Sequence, residues 1–227
     1  TALDVIDDDV IKACGKLKLI CNIGVGYDNI DVAAATARGI TVTNTPGAMD
    51  DAVADLVFGM LLGIARRLPQ ADAFVRGGQW TTDNMHGFGM GMDVSRKTLG
   101  IIGFGRIGKV IAQRALGFDM ETLYSDGFKA DDATELALKA SHTDLDTLLA
   151  KSDYVVVQVP YMAETHHMIG AAEFAKMKKS AVLIHAGRGG VVDDASLADA
   201  LKNGTIAAAA IDCFDNEPAV NADLLAL

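Results

Sequence analysis

Cysteine, proline and positive charge are scarce in this 227-residue sequence, with three Cys, four Pro and only twenty Lys and Arg against thirty Asp and Glu. Cys14, Cys21 and Cys213 are odd in number and lack Cys-x-x-Cys spacing, which excludes a disulfide framework or zinc knuckle and fits a reducing, cytoplasmic setting. A net charge of −10 disfavours a duplex-binding or anionic-membrane surface, so neither nucleic acid nor membrane is an expected partner. Long apolar runs are also missing. The longest stretch, Ala52 to Ala65, is broken by Asp55 and is too short to span a bilayer, and Thr1 to Asp9 has no basic segment leading into an apolar one. Thr1 is not a natural start and Leu227 falls inside an apolar pattern, so the chain reads as a fragment lacking both ends.

What is present is 50% hydrophobic and 22% charged residues, ordinary for a globular α/β protein. Leu17 to Cys21 alternates like a short strand and runs into Asn22-Ile-Gly-Val-Gly-Tyr27, a loop whose glycines allow close backbone approach. Asp31 to Arg38 predicts a helix closed by Gly39, Ile40 to Thr43 a strand, and Pro46-Gly47 a turn, together a βαβ-like unit. Asp50 or Asp51 caps a long amphipathic helix with Val53, Leu56, Val57, Met60, Leu61 and Ile64 on its apolar face. Gly59 and Gly63 in that helix permit close packing within or between subunits. Thr81 to Asp93 has no period and reads as a loop or hinge. Beyond it, strands at 98–102, 121–125, 154–159, 181–185 and 206–211 alternate with helices at 107–117, 144–150, 171–177 and 194–202. That alternation predicts an α/β fold with a doubly wound parallel sheet.

Chemistry concentrates at the ends of these strands. Gly103-Phe-Gly105-Arg-Ile-Gly108 directly follows a strand and directly precedes a helix. Gly103 permits the tight turn, Gly105 lets the backbone approach a pyrophosphate, and Gly108 lets the helix pack on the strand. Asp126, after the second strand, would accept hydrogen bonds from an adenosine ribose and repel a 2′-phosphate, which favours NAD over NADP. Lys129 alone pulls the other way. The alternative, a glycine-rich turn that binds nothing, is disfavoured because strand, glycines, helix and acid align. Arg106 either touches the pyrophosphate or is a solvated helix-start residue. His185-Ala-Gly-Arg188-Gly-Gly190 places an arginine at the carboxyl end of a strand, where a guanidinium would hold a carboxylate in two hydrogen bonds and polarise an adjacent carbonyl. Asp212 and Glu217 follow the last strand; Glu217-Pro218 alone reads equally well as a plain turn.

Leu17 to Asp31, Asn44 to Gly47, Asp51 to Asp55, Lys97 to Gly108, Arg114 to Gly117, Arg188 to Asp193 and Asp212 to Pro218 resemble, in the same order, the motifs of the D-isomer-specific 2-hydroxyacid dehydrogenases. The resemblance implies a Rossmann-type NAD-binding domain over 46–227 and, over 1–45, part of a flavodoxin-like substrate (catalytic) domain. It implies an oxidoreductase that transfers hydride between NAD(H) and C2 of a small D-2-hydroxy acid or 2-oxo acid such as glyoxylate or hydroxypyruvate. Arg188 would then bind substrate carboxylate and carbonyl, and Glu217 would raise the pKa of a catalytic histidine expected beyond Leu227. Backbone amides of Val25 and Gly26 would hold the substrate carboxylate. Gly103, Gly105, Arg106, Ile107, Gly108 and Asp126 would bind the adenosine diphosphate part, with Val159, Pro160 and Thr165 nearby and Ala186, Gly187 and Asp212 beside the nicotinamide. No metal is implied. His166 and His167 read as structural, and His185 as a strand-end packing residue or a cofactor contact. The family's members are commonly homodimers, and the Ala52 to Ala65 helix suits that contact. A rival reading is a non-catalytic NAD-sensing protein, like the corepressors built on this scaffold.

Overall fold

Short apolar runs separated by aspartates set the elements of this chain. Asp7, Asp31, Asp131, Asp144 and Asp193 each accept a first-turn backbone N–H, from Val10, Ala34, Thr134, Thr147 and Ala195 respectively, at 2.8–3.1 Å, and so start five helices. The computed structural model describes residues 4–227. It divides into two units, one ending at Ala52 and one running from Val53 to Leu227. The sequence expectation put that division near 45; it falls instead inside the helix Asp50–Ala65.

The first unit is built from α1 (Asp8–Ala13), β1 (Leu19–Cys21), α2 (Val32–Ala37) and β2 (Thr41–Thr43). The two strands pair in parallel, Leu19 opposite Thr41, as expected of a βαβ unit. Gly39 takes a φ of +67° where the chain leaves α2, a conformation that favours glycine. Ile11, Ile20, Ile30, Ala35 and Ile40 form its core.

The second unit takes most of α3 (Asp50–Ala65), then α4 (Leu68–Arg76), β3 (Thr98–Ile102), α5 (Arg106–Ala115), β4 (Glu121–Ser125), α6 (Asp132–Leu138), β5 (Ala140–His142), α7 (Leu145–Lys151), β6 (Tyr154–Val157), α8 (Ala171–Phe174), β7 (Val182–His185), α9 (Asp194–Lys202), β8 (Ala208–Ile211) and α10 (Ala222–Leu225). Its six strands are all parallel in the order β5-β4-β3-β6-β7-β8. The chain therefore winds outward in one direction from β3 and in the other from β6. That is the Rossmann-type doubly wound sheet, and the reversal between β3 and β6 opens a crevice at their carboxyl ends.

Both faces of the sheet are covered. Along β6, Tyr154 and Val156 join the core shared with α3 and α5, while Val155 and Val157 join the core shared with α7, α8 and α9. This explains why the strand reads as an unbroken apolar run. Five elements escaped the sequence reading: the helices α1, α4, α6 and α10 and the edge strand β5. Lys139 ends α6 in the left-handed region (φ 48°) where glycine would have signalled a stop, and β5 is three residues long with two exposed. In α3 the buried stripe is Ala54, Val57, Phe58, Leu61 and Ala65, whereas Leu56, expected inside, is 41% exposed. Small residues at 54 and 65 let the helix sit close to the sheet, and hydropathy alone misplaced that face. No described helix is long and apolar enough to cross a membrane.

Asp153 joins three strand starts. Its carboxylate accepts the Thr98 N–H at 2.9 Å and pairs with Lys178 at 2.8 Å, and its carbonyl accepts the Val182 N–H at 3.0 Å. Burial pushes the carboxyl up, but Lys178 and the Thr98 N–H outweigh it and the net shift is downward. Asp153→Ala is expected to cost about 1–3 kcal/mol in urea denaturation at pH 7, because it strands a part-buried strand-start donor and removes the Lys178 pair. A depressed carboxyl stabilises above its unfolded pKa and loses that contribution as pH falls through the folded one, so the difference between variant and parent should shrink below about pH 4.

Candidate dinucleotide site

The chain turns from β3 into α5 in three residues, and each glycine there has a distinct steric reason. Gly103 has a φ of +96°, and a Cβ on it would fall 2.5 Å from the Gln158 carbonyl oxygen. A Cβ on Gly108 would overlap the Gly103 carbonyl, so helix and strand close on each other only without side chains. Around Gly105 there is open space, with nothing within 4 Å of a would-be Cβ. Gly105 is also the N-cap of α5 and offers no side chain to the first-turn N–H groups of Arg106, Ile107 and Gly108. A helix start without a side-chain cap, the positive end of the helix dipole and an open approach fit a pyrophosphate.

Asp126 lies just past the end of β4, bound to this loop. Its Oδ2 accepts the Phe104 N–H at 2.7 Å and its Oδ1 the Phe128 N–H at 3.0 Å. These bonds fix the carboxylate beside the glycine loop, where a ribose diol would meet it. Arg106 is exposed as the first residue of α5.

Across the crevice, Val159 follows β6 and lies against two of the expected positions. Its Cγ1 would be 2.8 Å from a Cβ on Gly103, and its carbonyl 3.0 Å from one on Gly187. Thr165 stiffens the same loop, donating to the Pro160 carbonyl at 2.8 Å and accepting the Met162 N–H at 2.8 Å. His185 is 1% exposed at the end of β7, aligned with Val157 and Ile211 on the flanking strands. It is therefore a packed residue. Burial holds its imidazole below the ordinary value, against the opposing pull of the Val157 and Arg188 backbone. Ala186 is buried, Arg188 is exposed, and Asp212 is exposed with its N–H on the His185 carbonyl at 2.8 Å.

A joint unseen in the sequence holds the Arg188 and Glu217 loops together. A Cβ on Gly189 would overlap the Phe214 carbonyl, so these loops touch through bare backbone. Asp215 bridges them, accepting the Gly190 N–H at 2.8 Å and the Asp194 N–H at 3.3 Å, with the His167 Nε2 also at 3.3 Å. Asp194 returns the bond by accepting the Asp215 N–H at 3.2 Å, and burial beside the Asp215 charge raises its pKa. The signal was the acid two residues before Glu217, hidden by the more conspicuous Glu-Pro. Glu217 Oε1 accepts the Phe214 N–H at 2.8 Å. Cys213 is buried, its thiol pushed up to about 12 by burial and by the charges of Glu217 and Asp212, so it is no nucleophile. The ligand atoms of His167, Asp193 and Asp215 lie within 4.8 Å of one another, but both carboxylates already accept hydrogen bonds from the protein, which is the arrangement of a structural joint.

In the first unit, the carbonyls of Val25 and Gly26 accept from the side chains of Asn44 at 2.8 Å and Asn22 at 2.6 Å. The N–H groups of these two residues make no hydrogen bond among the described residues.

A doubly wound sheet with this loop and acid defines the class: a dinucleotide-binding domain. The model of the D-isomer specific 2-hydroxyacid dehydrogenase NAD binding domain matches residues 58–227. A glyoxylate reductase of Thermococcus litoralis is 46% identical over 99% of this chain and 68% of its own length. Among solved structures, a glyoxylate reductase from Paecilomyes thermophila superposes with a TM-score of 0.88 at 37% identity, covering 97% of this chain and 66% of that one. An NADPH-dependent glyoxylate/hydroxypyruvate reductase from Sinorhizobium meliloti, in complex with NADP and malonate, gives 0.90 at 36% over 99% of this chain and 69% of that one. The chain belongs to the D-isomer specific 2-hydroxyacid dehydrogenase family, NAD(P)-dependent oxidoreductases that transfer hydride on 2-oxo and 2-hydroxy acids. It spans about two thirds of the length of these relatives.

The glycines separate binding from folding. Gly105→Ala should leave thermal stability within about 0.5 kcal/mol while weakening NADH binding in a fluorescence titration, since the added methyl meets only the ligand's space. Gly108→Ala should destabilise the fold by about 1–3 kcal/mol, because the helix must move off the strand.

Proposed function

We propose that this chain carries the nucleotide-binding domain and part of the substrate domain of an NAD-preferring enzyme. It interconverts a small 2-oxo acid and its D-2-hydroxy acid, with glyoxylate and hydroxypyruvate as the leading substrates. The observation that carries the reading is the crevice where the Gly105 amides and Asp126 stand at the ends of β3 and β4, with Arg188 and Glu217 on joined loops after β7 and β8. The cofactor supplies the hydride when bound.

In this reading Gly103, Gly105, Arg106, Ile107 and Gly108 hold the pyrophosphate, and Asp126 holds the ribose. Val159, Pro160 and Thr165 line the cofactor's path, and Ala186, Gly187 and Asp212 stand beside the nicotinamide. The guanidinium of Arg188 pairs with the substrate carboxylate and draws charge from the C2 carbonyl. Glu217 keeps Oε2 for the histidine expected after Leu227, stabilising an imidazolium that gives its proton to the carbonyl oxygen. The N–H groups of Val25 and Gly26 are assigned to the substrate carboxylate. The enzyme works in the cytoplasm, in keeping with exposed cysteines at positions 14 and 21 that form no disulfide. It pairs as a homodimer through α3, where Gly59 and Gly63 meet no neighbour within 4 Å of a would-be Cβ.

In the complete protein, Arg188→Ala is expected to lower kcat/KM for NADH-dependent glyoxylate or hydroxypyruvate reduction at least about a hundredfold; undiminished turnover would remove its assigned role. Absence of turnover by the parent on any small 2-oxo acid would favour the non-catalytic NAD-sensing reading. Asp126→Ala should narrow the preference for NADH over NADPH, read as the ratio of the two kcat/KM values.

A further inference from the structure

The loop after Asp126 carries a cation that the NAD reading leaves unexplained. Lys129 stands three residues beyond the acid, on the loop from which a cation would serve a 2′-phosphate, the very group that Asp126 repels. The two side chains therefore pull cofactor choice in opposite directions.

Lys129 is held elsewhere. Its Nζ lies 3.1 Å from Asp132 Oδ1 and 3.3 Å from Glu135 Oε2. The two partners are unequal. Asp132 is 95% exposed and its pairing is weakened by solvent, whereas the Glu135 side chain is 17% exposed and anchored. Glu135 Oε1 accepts the Tyr124 hydroxyl at 2.7 Å and the His142 N–H at 3.2 Å. Tyr124 is fully buried, and its hydroxyl accepts the Ala130 N–H at 2.8 Å, pinning the loop that contains Lys129. Its ring stacks on Phe104 at 3.8 Å, and the Phe104 N–H is the one that fixes Asp126. His142 closes the frame, with Nε2 3.3 Å from the Asp126 carbonyl.

We propose that Glu135 is a specificity-determining residue that withholds Lys129 from a cofactor's 2′-phosphate, so that NADP is disfavoured by the Asp126 charge and by the loss of a cation that would have welcomed it. This rests on the assignment of the crevice to NAD. The electrostatics agree: Lys129 is raised by its bonds to Asp132 and Glu135, and Glu135 is lowered chiefly by the Tyr124 hydroxyl and also by Lys129, so both stay charged near neutral pH. The residue acts from α6, the helix that follows β4, with no contact to the cofactor required.

The test measures dissociation constants of NADH and NADPH by fluorescence titration of the complete protein. Glu135→Gln keeps an oxygen for Tyr124 and His142 but loses the charge that holds Lys129. It should tighten NADPH at least about threefold, the size of an exposed ion pair released to a new partner, and leave NADH within about twofold. In a Lys129→Ala background the same substitution should bring no gain. Lys129→Ala alone should leave NADPH binding unchanged, since the cation is already withheld. An unchanged NADPH constant in Glu135→Gln with intact NADH binding would overturn the proposal, as would a gain that persists without Lys129. A parent that binds neither nucleotide would overturn the NAD assignment itself, and this proposal with it.

Discussion

Everything at the candidate site depends on how closely α5 approaches the end of β3. A side chain at Gly108 would overlap the Gly103 carbonyl, and one at Gly103 would run into Gln158 just past the end of β6. With both absent, the helix begins three residues after the strand ends, and its first amides meet the crevice opened by the change of winding direction between β3 and β6. The Phe104 N–H then donates to Asp126, so one backbone path ties the phosphate end of the site to its ribose end. A bulkier turn would separate the two functions.

The acidic balance of the chain has a structural use. Aspartates start α1, α2, α6, α7 and α9, and hydrogen bonds to the first turn hold the carboxyls of Asp131, Asp144 and Asp193 below the usual range. Asp153 and Asp215 do the same for strands and loops, each gathering backbone donors from segments distant in sequence. In a short-element fold with few glycine stops and few prolines, carboxylates on orphan N–H groups supply the punctuation. Part of the acidic excess thus serves to fix the backbone.

Much of the second unit was legible from the chain. The boundaries of β3, β4 and α9 follow from alternation and capping, and the doubly wound topology follows from strands and helices taking turns. The weak elements were not. α6 ends on Lys139 in the left-handed region and β5 gains its identity only by pairing with β4, Thr122 beside Ala140. The buried face of α3 was turned from the expected one because alanines at 54 and 65 carry the contact that bulk hydropathy assigns to Leu56. For the candidate site, the sequence offers the glycines, Asp126 and Arg188 as expectations, whereas Asp215 is overshadowed by the nearby Glu217-Pro218 and Glu135 has no distinctive neighbour in sequence.

By itself the sequence determined the local geometry. Three glycines at this spacing, between a strand pattern and a helix pattern, allow a tight turn from one to the other, because backbone sterics act over a few residues. Only the tertiary structure decided which of those glycines faces open space and which faces a carbonyl. It also decided that His185 is sealed into the sheet, that Asp215 joins the Arg188 and Glu217 loops, and that Lys129 is turned to Glu135. Those outcomes depend on which groups the packed fold brings within reach of one another, which the order of residues along the chain does not reveal.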